Sequence, residues 1–165
     1  MSIPTNGVPV KEELEQVIPP AEILAKGPVV VVECFQNIPC DPCAASCPSG
    51  AIQPFEDINN LPTVDYEKCT GCGLCIASCP GLAIFVVDIN YSDKEALLKI
   101  PYEMLPLPKK GQVVAGLDRS GRKVADVKVA RVQRTKNKTN IITIIVPKDL
   151  AMVIRNIKVG DEQNG

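Results

Sequence analysis

Histidine and tryptophan are absent from this chain, and aromatic residues make up only 4% of it. Without imidazole, the commonest general base and the commonest nitrogen ligand for metals are missing. No Ser/His/Asp set, phosphate-cradling glycine loop or nucleotide fingerprint is present either. Long apolar runs are also lacking. The strongest, Val29–Val32 and Ile141–Val146, are strand-sized and far below the roughly 20 residues of a membrane helix. The opening "MSIPTNGVPVKEELEQ" has no cationic start followed by an apolar stretch. The expectation is a cytoplasmic chain without membrane insertion.

What is abundant is proline, with 15 residues, and cysteine, with 8. So many prolines favour loops over long helices. At 45% hydrophobic, the chain can still bury a core. The net charge of −1 conceals two unlike halves. Residues 1–100 hold 5 Lys+Arg against 13 Asp+Glu, whereas residues 101–165 hold 13 against 6. Such a swing points to two units with different surfaces and partners.

All eight cysteines fall between residues 34 and 79, in two related phrases. The second is Cys69-x2-Cys72-x2-Cys75-x3-Cys79-Pro80, the spacing of bacterial cubane iron–sulfur ligands. Three thiolates two residues apart can wrap one face of a cube. The fourth lies a helical turn further on, and the proline after it ends the helix. Gly71 and Gly73 allow the left-handed backbone of such a loop. The first phrase is Cys34-x5-Cys40-x2-Cys43-x3-Cys47-Pro48; its last three cysteines precede those of the second by a constant 32 positions. Only Cys34 is displaced, by three extra residues within "FQNIP". Structural zinc would use two C-x2-C pairs, and a disulfide framework would need an oxidising compartment. Three cysteines in register followed by Cys-Pro do not suit the zinc pattern, and the opening residues carry no export signal for the disulfide one.

Residues 28–92 therefore resemble the two-cluster bacterial ferredoxin domain. In that family the fourth cysteine of each motif serves the other cluster. The resemblance implies two 4Fe–4S clusters. Cys34, Cys40, Cys43 and Cys79 would hold cluster 1, and Cys69, Cys72, Cys75 and Cys47 cluster 2. The stretched motif leaves Cys34 open, the alternative being a three-iron or otherwise altered site.

The implied fold class is α+β: a ferredoxin-like, pseudo-twofold two-cluster domain, then a small β-barrel-like domain with a C-terminal helix. "GPVVVVE" and "LPTVDYE" read as strands entering the cysteine loops, and "GAIQPF" and "LAIFVVDI" as strands leaving them. Val64, Ile76, Ile52, Ile84 and Ile38 are candidates for keeping water from the clusters. The expected division is a lead-in or docking segment at 1–27, the cluster domain at 28–99, a Pro-rich linker at 100–111 and a basic β domain at 112–165. In the last, turn signals at 118–121 and 135–140 separate strands near 112–117, 122–133 and 140–146. Leu150, Val153, Ile154 and Ile157 then recur at helical spacing.

Two clusters and no catalytic constellation make an electron relay, not an enzyme in itself. No aromatic residue follows Tyr102, so the basic tail lacks the stacking platforms of single-strand nucleic-acid binders. A solvated face, or a basic surface that steers an acidic protein partner, is the better expectation. In overall character the chain is also similar to the small iron–sulfur subunits of flavin-dependent amino-acid, imino-acid or opine-type dehydrogenases. That resemblance implies hetero-oligomers with flavoprotein subunits; the alternatives are a free diffusible ferredoxin or a cluster-bearing sensor.

Overall fold

A computed structural model describes residues 3–160 of the chain. Three short helices lead in: α1 (Ile3–Asn6), α2 (Lys11–Glu15) and α3 (Ala21–Leu24). Two five-residue helices sit inside the cysteine phrases: α4 (Pro42–Ser46) and α5 (Leu74–Ser78). The strands are β1 (Val29–Val32), β2 (Ile84–Asp88), β3 (Glu95–Tyr102), β4 (Val113–Leu117), β5 (Lys123–Gln133), β6 (Asn140–Pro147) and β7 (Asn156–Lys158). All seven join one antiparallel sheet in the order β1-β2-β3-β6-β5-β4-β7.

This sheet has two working faces because side chains alternate along a strand. Val30 and Val32 of β1 and Ile84 and Val86 of β2 face the cysteine loops, joined by Ile52, Ile76 and Ile141. Val31, Phe85 and Val87 point the other way, into a core shared with Leu98, Ile100, Val129, Ile142, Ile144, Ile154 and Ile157. Every residue of β1 is β-branched, stiff at χ1, and buried although the strand is an edge.

Several expectations are corrected. The sheet is open, with β1 and β7 as edges, and does not close into a barrel. Bulges between Gly116 and Leu117 and between Val129 and Arg131 curl it instead. The gap between its edges is spanned by side chains. Glu33, following β1, accepts from Arg155 Nε at 2.9 Å and pairs with Arg119 Nη2 at 2.5 Å. The expected C-terminal helix is a 3-10 turn at Lys148–Leu150 followed by β7. Its periodicity is real, since Ile154 and Ile157 are buried. The Arg155 amide, however, turns to the Leu117 carbonyl, ending any helix there. The inner strands expected from "GAIQPF" and "LPTVDYE" reduce to one bridge, Ile52 to Val64. Of the stretch 100–111, residues 100–102 end β3, which pairs with β2 on one side and β6 on the other, and residues 103–111 connect it towards β4. Within that stretch, Tyr102 is buried and Leu107 packs on the core, while Leu105 is 84% exposed.

Candidate metal centres

Each cysteine phrase runs as a loop into a one-turn helix, and α4 packs against α5. Pro42 occupies the first turn of α4, where a missing N–H costs nothing. Gly73 caps α5 in the left-handed conformation, with φ of 80°. Gly71, at φ of 70°, lies so close to Pro28 that a Cβ there would stand 2.6 Å from the proline Cβ. Both glycines are thus fixed by geometry that other residues strain to adopt.

The eight thiols gather around two cavities. One is lined by Cys34, Cys40, Cys43 and Cys79, with Val32, Ile84, Phe55 and the flanking prolines 42, 62 and 80. The other is lined by Cys47, Cys69, Cys72 and Cys75, with Val30, Val86, Ile52 and Gly71. The last cysteine of each phrase thus lines the cavity of the other phrase. The two cavities also share one β ladder. Val32 pairs with Ile84 beneath the first, and Val30 with Val86 beneath the second. Two residues along a strand are about 7 Å apart, so the ladder sets the cavities side by side.

Electrostatics divides the thiols in the same way. Burial, reinforced by the neighbouring Cys69, Cys72 and Cys47, pushes the Cys75 thiol up to about 12. Burial first, then Cys79, Cys40 and Cys34, raises Cys43 to about 11 against an opposing backbone hydrogen bond. Cys34 is raised by burial and by Cys79 and Cys40. Burial also raises Cys47, yet it ends below the ordinary thiol value because amides of Ile52, Ala51 and Ser49 and the Ser49 hydroxyl favour its thiolate. Four crowded thiolates around one cavity repel each other unless a cationic group lies among them. The donor set therefore fits an iron–sulfur core. Amides also point at sulfur, Val30 N–H at Cys69 Sγ (3.4 Å) and Ala83 N–H at Cys79 Sγ (3.5 Å).

Of the apolar candidates, Ile52, Ile76 and Ile84 are buried and Val64 partly so. Ile38 lines the first cavity but is 46% exposed, so its shielding is one-sided. Sequence reasoning missed Lys99, whose Nζ donates to the Gly71 carbonyl at 3.2 Å and so holds the second loop from β3. It also missed the Glu33 ion cluster next to Cys34. There Arg155, over the Phe85 ring at 5.0 Å, is buried and its basicity lowered by burial against the pull of Glu33. A charge directly before Cys34 after four valines was the available signal; its arginine partners lie 86 and 122 positions away. The lead-in is tied to the second loop by Lys26 to Glu67 at 2.7 Å and by Tyr66 to the Val17 carbonyl at 3.4 Å.

Residues 37–83 match the 4Fe-4S dicluster domain family. The chain thus contains a two-cluster ferredoxin-type domain, and its cofactors are two 4Fe–4S clusters. Over 80 residues it is 36% identical to a selenate reductase subunit of Mesobacillus selenatarsenatis, covering 40% of this chain and 26% of that protein. Over 47 residues it is 45% identical to the pyruvate synthase subunit PorD of Methanocaldococcus jannaschii, covering 28% and 52% of the two chains. Over another 47-residue alignment it is 49% identical to a subunit of the ion-translocating oxidoreductase complex of Methanosarcina acetivorans, covering 28% and 17%. The matches thus span from about a sixth to about half the length of these curated relatives. No solved structure matches the chain. Among the described residues, no helix is long and apolar enough to cross a membrane.

Proposed function

We propose that this chain is the electron-transfer subunit of an oxidoreductase complex, and that its immediate partner is a flavoprotein dehydrogenase subunit. The observation that carries the reading is the pair of four-thiol cavities on one ladder. When bound, the two 4Fe–4S clusters supply one-electron chemistry. Cys34, Cys40, Cys43 and Cys79 would hold one, and Cys47, Cys69, Cys72 and Cys75 the other. Cys47 and Cys79, crossing between the phrases, fix the separation. Val30, Val32, Ile84 and Val86 exclude water, and the amides aimed at Cys69 and Cys79 set how readily negative charge is added.

Two features support a subunit over a free carrier. Similar proteins are themselves parts of larger enzymes, among them the thiosulfate reductase electron transfer subunit PhsB of Salmonella typhi. In addition, residues 101–160 are built into the same sheet as the cysteine loops, and their basic balance offers a surface for an acidic partner.

The test is the mass, iron and flavin content of the native particle, purified without oxygen and without a tag. A complex holding this chain and a flavin-bearing subunit is the expected result. A flavin-free complex would remove the dehydrogenase partner and leave the relay. A lone particle near the chain's own 17.7 kDa would make it a diffusible ferredoxin.

A further inference from the structure

Of the eight thiols, Cys72 is exposed, whereas the others are half-buried or buried. Leu74, two residues on, is 49% exposed. The turn between β5 and β6 is fastened beside this loop. Asn137 donates its side-chain amide to the Ala77 carbonyl of α5. Thr135 donates to the Thr139 carbonyl at 2.7 Å, and Thr139 donates to the Glu103 carboxylate at 2.5 Å. A tail segment distant in sequence is thereby anchored to the helix of the second cysteine phrase. It carries Arg134, Lys136 and Lys138, all exposed. Among the described residues, none of the three is in an ion pair. Lys99, bonded to the Gly71 carbonyl, adds a fourth cation at the loop itself. Acids in the same region are engaged: Glu67 by Lys26, Asp65 by Lys68 and Glu103 by Thr139. The first phrase has the opposite character. Asp41, Glu56 and Asp57 of the first phrase and its following loop are exposed, and the two arginines beside Cys34, Arg119 and Arg155, are engaged by Glu33.

We propose that the Cys72 face is the port at which this subunit exchanges electrons with its partner, and that the occupant is an acidic face of a redox protein. The inference rests on the electron-transfer reading above. Cys72 and Leu74 form the exposed approach, and Arg134, Lys136 and Lys138 steer an oppositely charged surface to it. Because the exposed charges of the first phrase are Asp41, Glu56 and Asp57, with Arg119 and Arg155 held by Glu33, the same partner face is repelled there, so the two ends of the relay are told apart by sign. The transfer is of one electron per encounter; no bond forms or breaks and no proton moves.

The test uses the full holoprotein, reduced without oxygen, and two one-electron oxidants of opposite charge: the cobalt(III)–EDTA anion and the hexaamminecobalt(III) cation. Each takes one electron to become cobalt(II). Reoxidation by the anion should be fast at low salt and slow as ionic strength rises, because screening removes the attraction. In Arg134→Glu/Lys136→Glu/Lys138→Glu the anion rate at low salt should fall by about tenfold, and the hexaammine rate should rise. The control Lys109→Glu/Lys110→Glu/Lys128→Glu makes an identical change in net charge on β5 and the β3–β4 connection and should stay within about twofold of the wild type. If the first variant loses iron, Lys136→Gln/Lys138→Gln replaces it, with a smaller change in the same direction. Equal rates for the two triple variants, or a wild-type anion rate that rises with salt, would overturn the port. Iron-loaded protein that neither reagent reoxidises would overturn the electron-transfer reading and the port together.

Discussion

Glu33 shows how one residue joins the two halves of the chain. Its carboxylate is buried next to Cys34, where burial alone would raise its pKa; Arg119 and Arg155 reverse that and hold it below 4.5. A folded value below the unfolded one contributes stability that is full above the unfolded value. That stability is lost as pH falls through the folded value. Glu33→Gln should therefore cost about 3 kcal/mol near neutrality, since it leaves buried Arg155 without its counter-charge. The gap in urea midpoint between wild type and variant should hold at neutral pH, begin to narrow as pH approaches about 4.5, and go on narrowing as pH falls through the lower folded value. A gap that stays constant would show that the carboxylate charge is not what stabilises. The cysteines act at the same scale. Cys72→Ala should halve the iron per chain, because it leaves three thiols at the second cavity only. Cys34→Ala should alter the reduced-state EPR signal of the first site alone. An unchanged spectrum would remove Cys34 from the ligands.

Strand β3 is the element on which the architecture turns. It hydrogen-bonds to β2 of the cysteine region and to β6 of the basic region at once. Removing everything after Lys110 would delete β4–β7 and expose Val31, Phe85, Val87, Leu98 and Ile100. Each of these side chains contributes about 1.5–3 kcal/mol by burial, so together they match a domain's whole margin of roughly 5–15 kcal/mol. The truncated chain should accordingly fail to retain clusters, as read from iron content and circular dichroism. Retention of both would show that the cysteine region folds by itself. The strands near 112–117, 122–133 and 140–146 were legible because alternation and turn residues are local signals. The C-terminal helix expected from the spacing of Leu150, Val153, Ile154 and Ile157 did not form, because long-range contacts decided it: the Arg155 amide bonds Leu117 and its side chain bonds Glu33.

At the scale of the whole molecule, the sheet is a wall with the two four-thiol cavities on one face and an apolar core on the other. That core contains no cysteine, whereas the cluster of buried residues on the opposite face includes them. Removal of the iron by an anaerobic chelator should thus affect the faces unequally. Hydrogen exchange should quicken across 34–82 while Leu98, Ile142 and Ile144 stay protected. Loss of protection at all of these together would mean that the clusters hold up the entire sheet.

The sequence by itself determined the cofactor chemistry, while the grouping of the thiols was only implied by the family resemblance. Cluster ligation depends on residue type and short spacing, and both are written within residues 34–79. The sequence also marked β1, β2, β4, β5 and β6 as strands, through short apolar runs and alternation bounded by turn residues, but neither β3 nor β7. Tertiary structure alone decided that the basic tail shares a sheet with the cysteine loops, and that Lys99 and Asn137 reach them. It also decided that the sheet stays open with Glu33 bridging its edges. Each of those depends on contacts between residues tens of positions apart, where register and curvature, set by bulges and by packing, choose the partner.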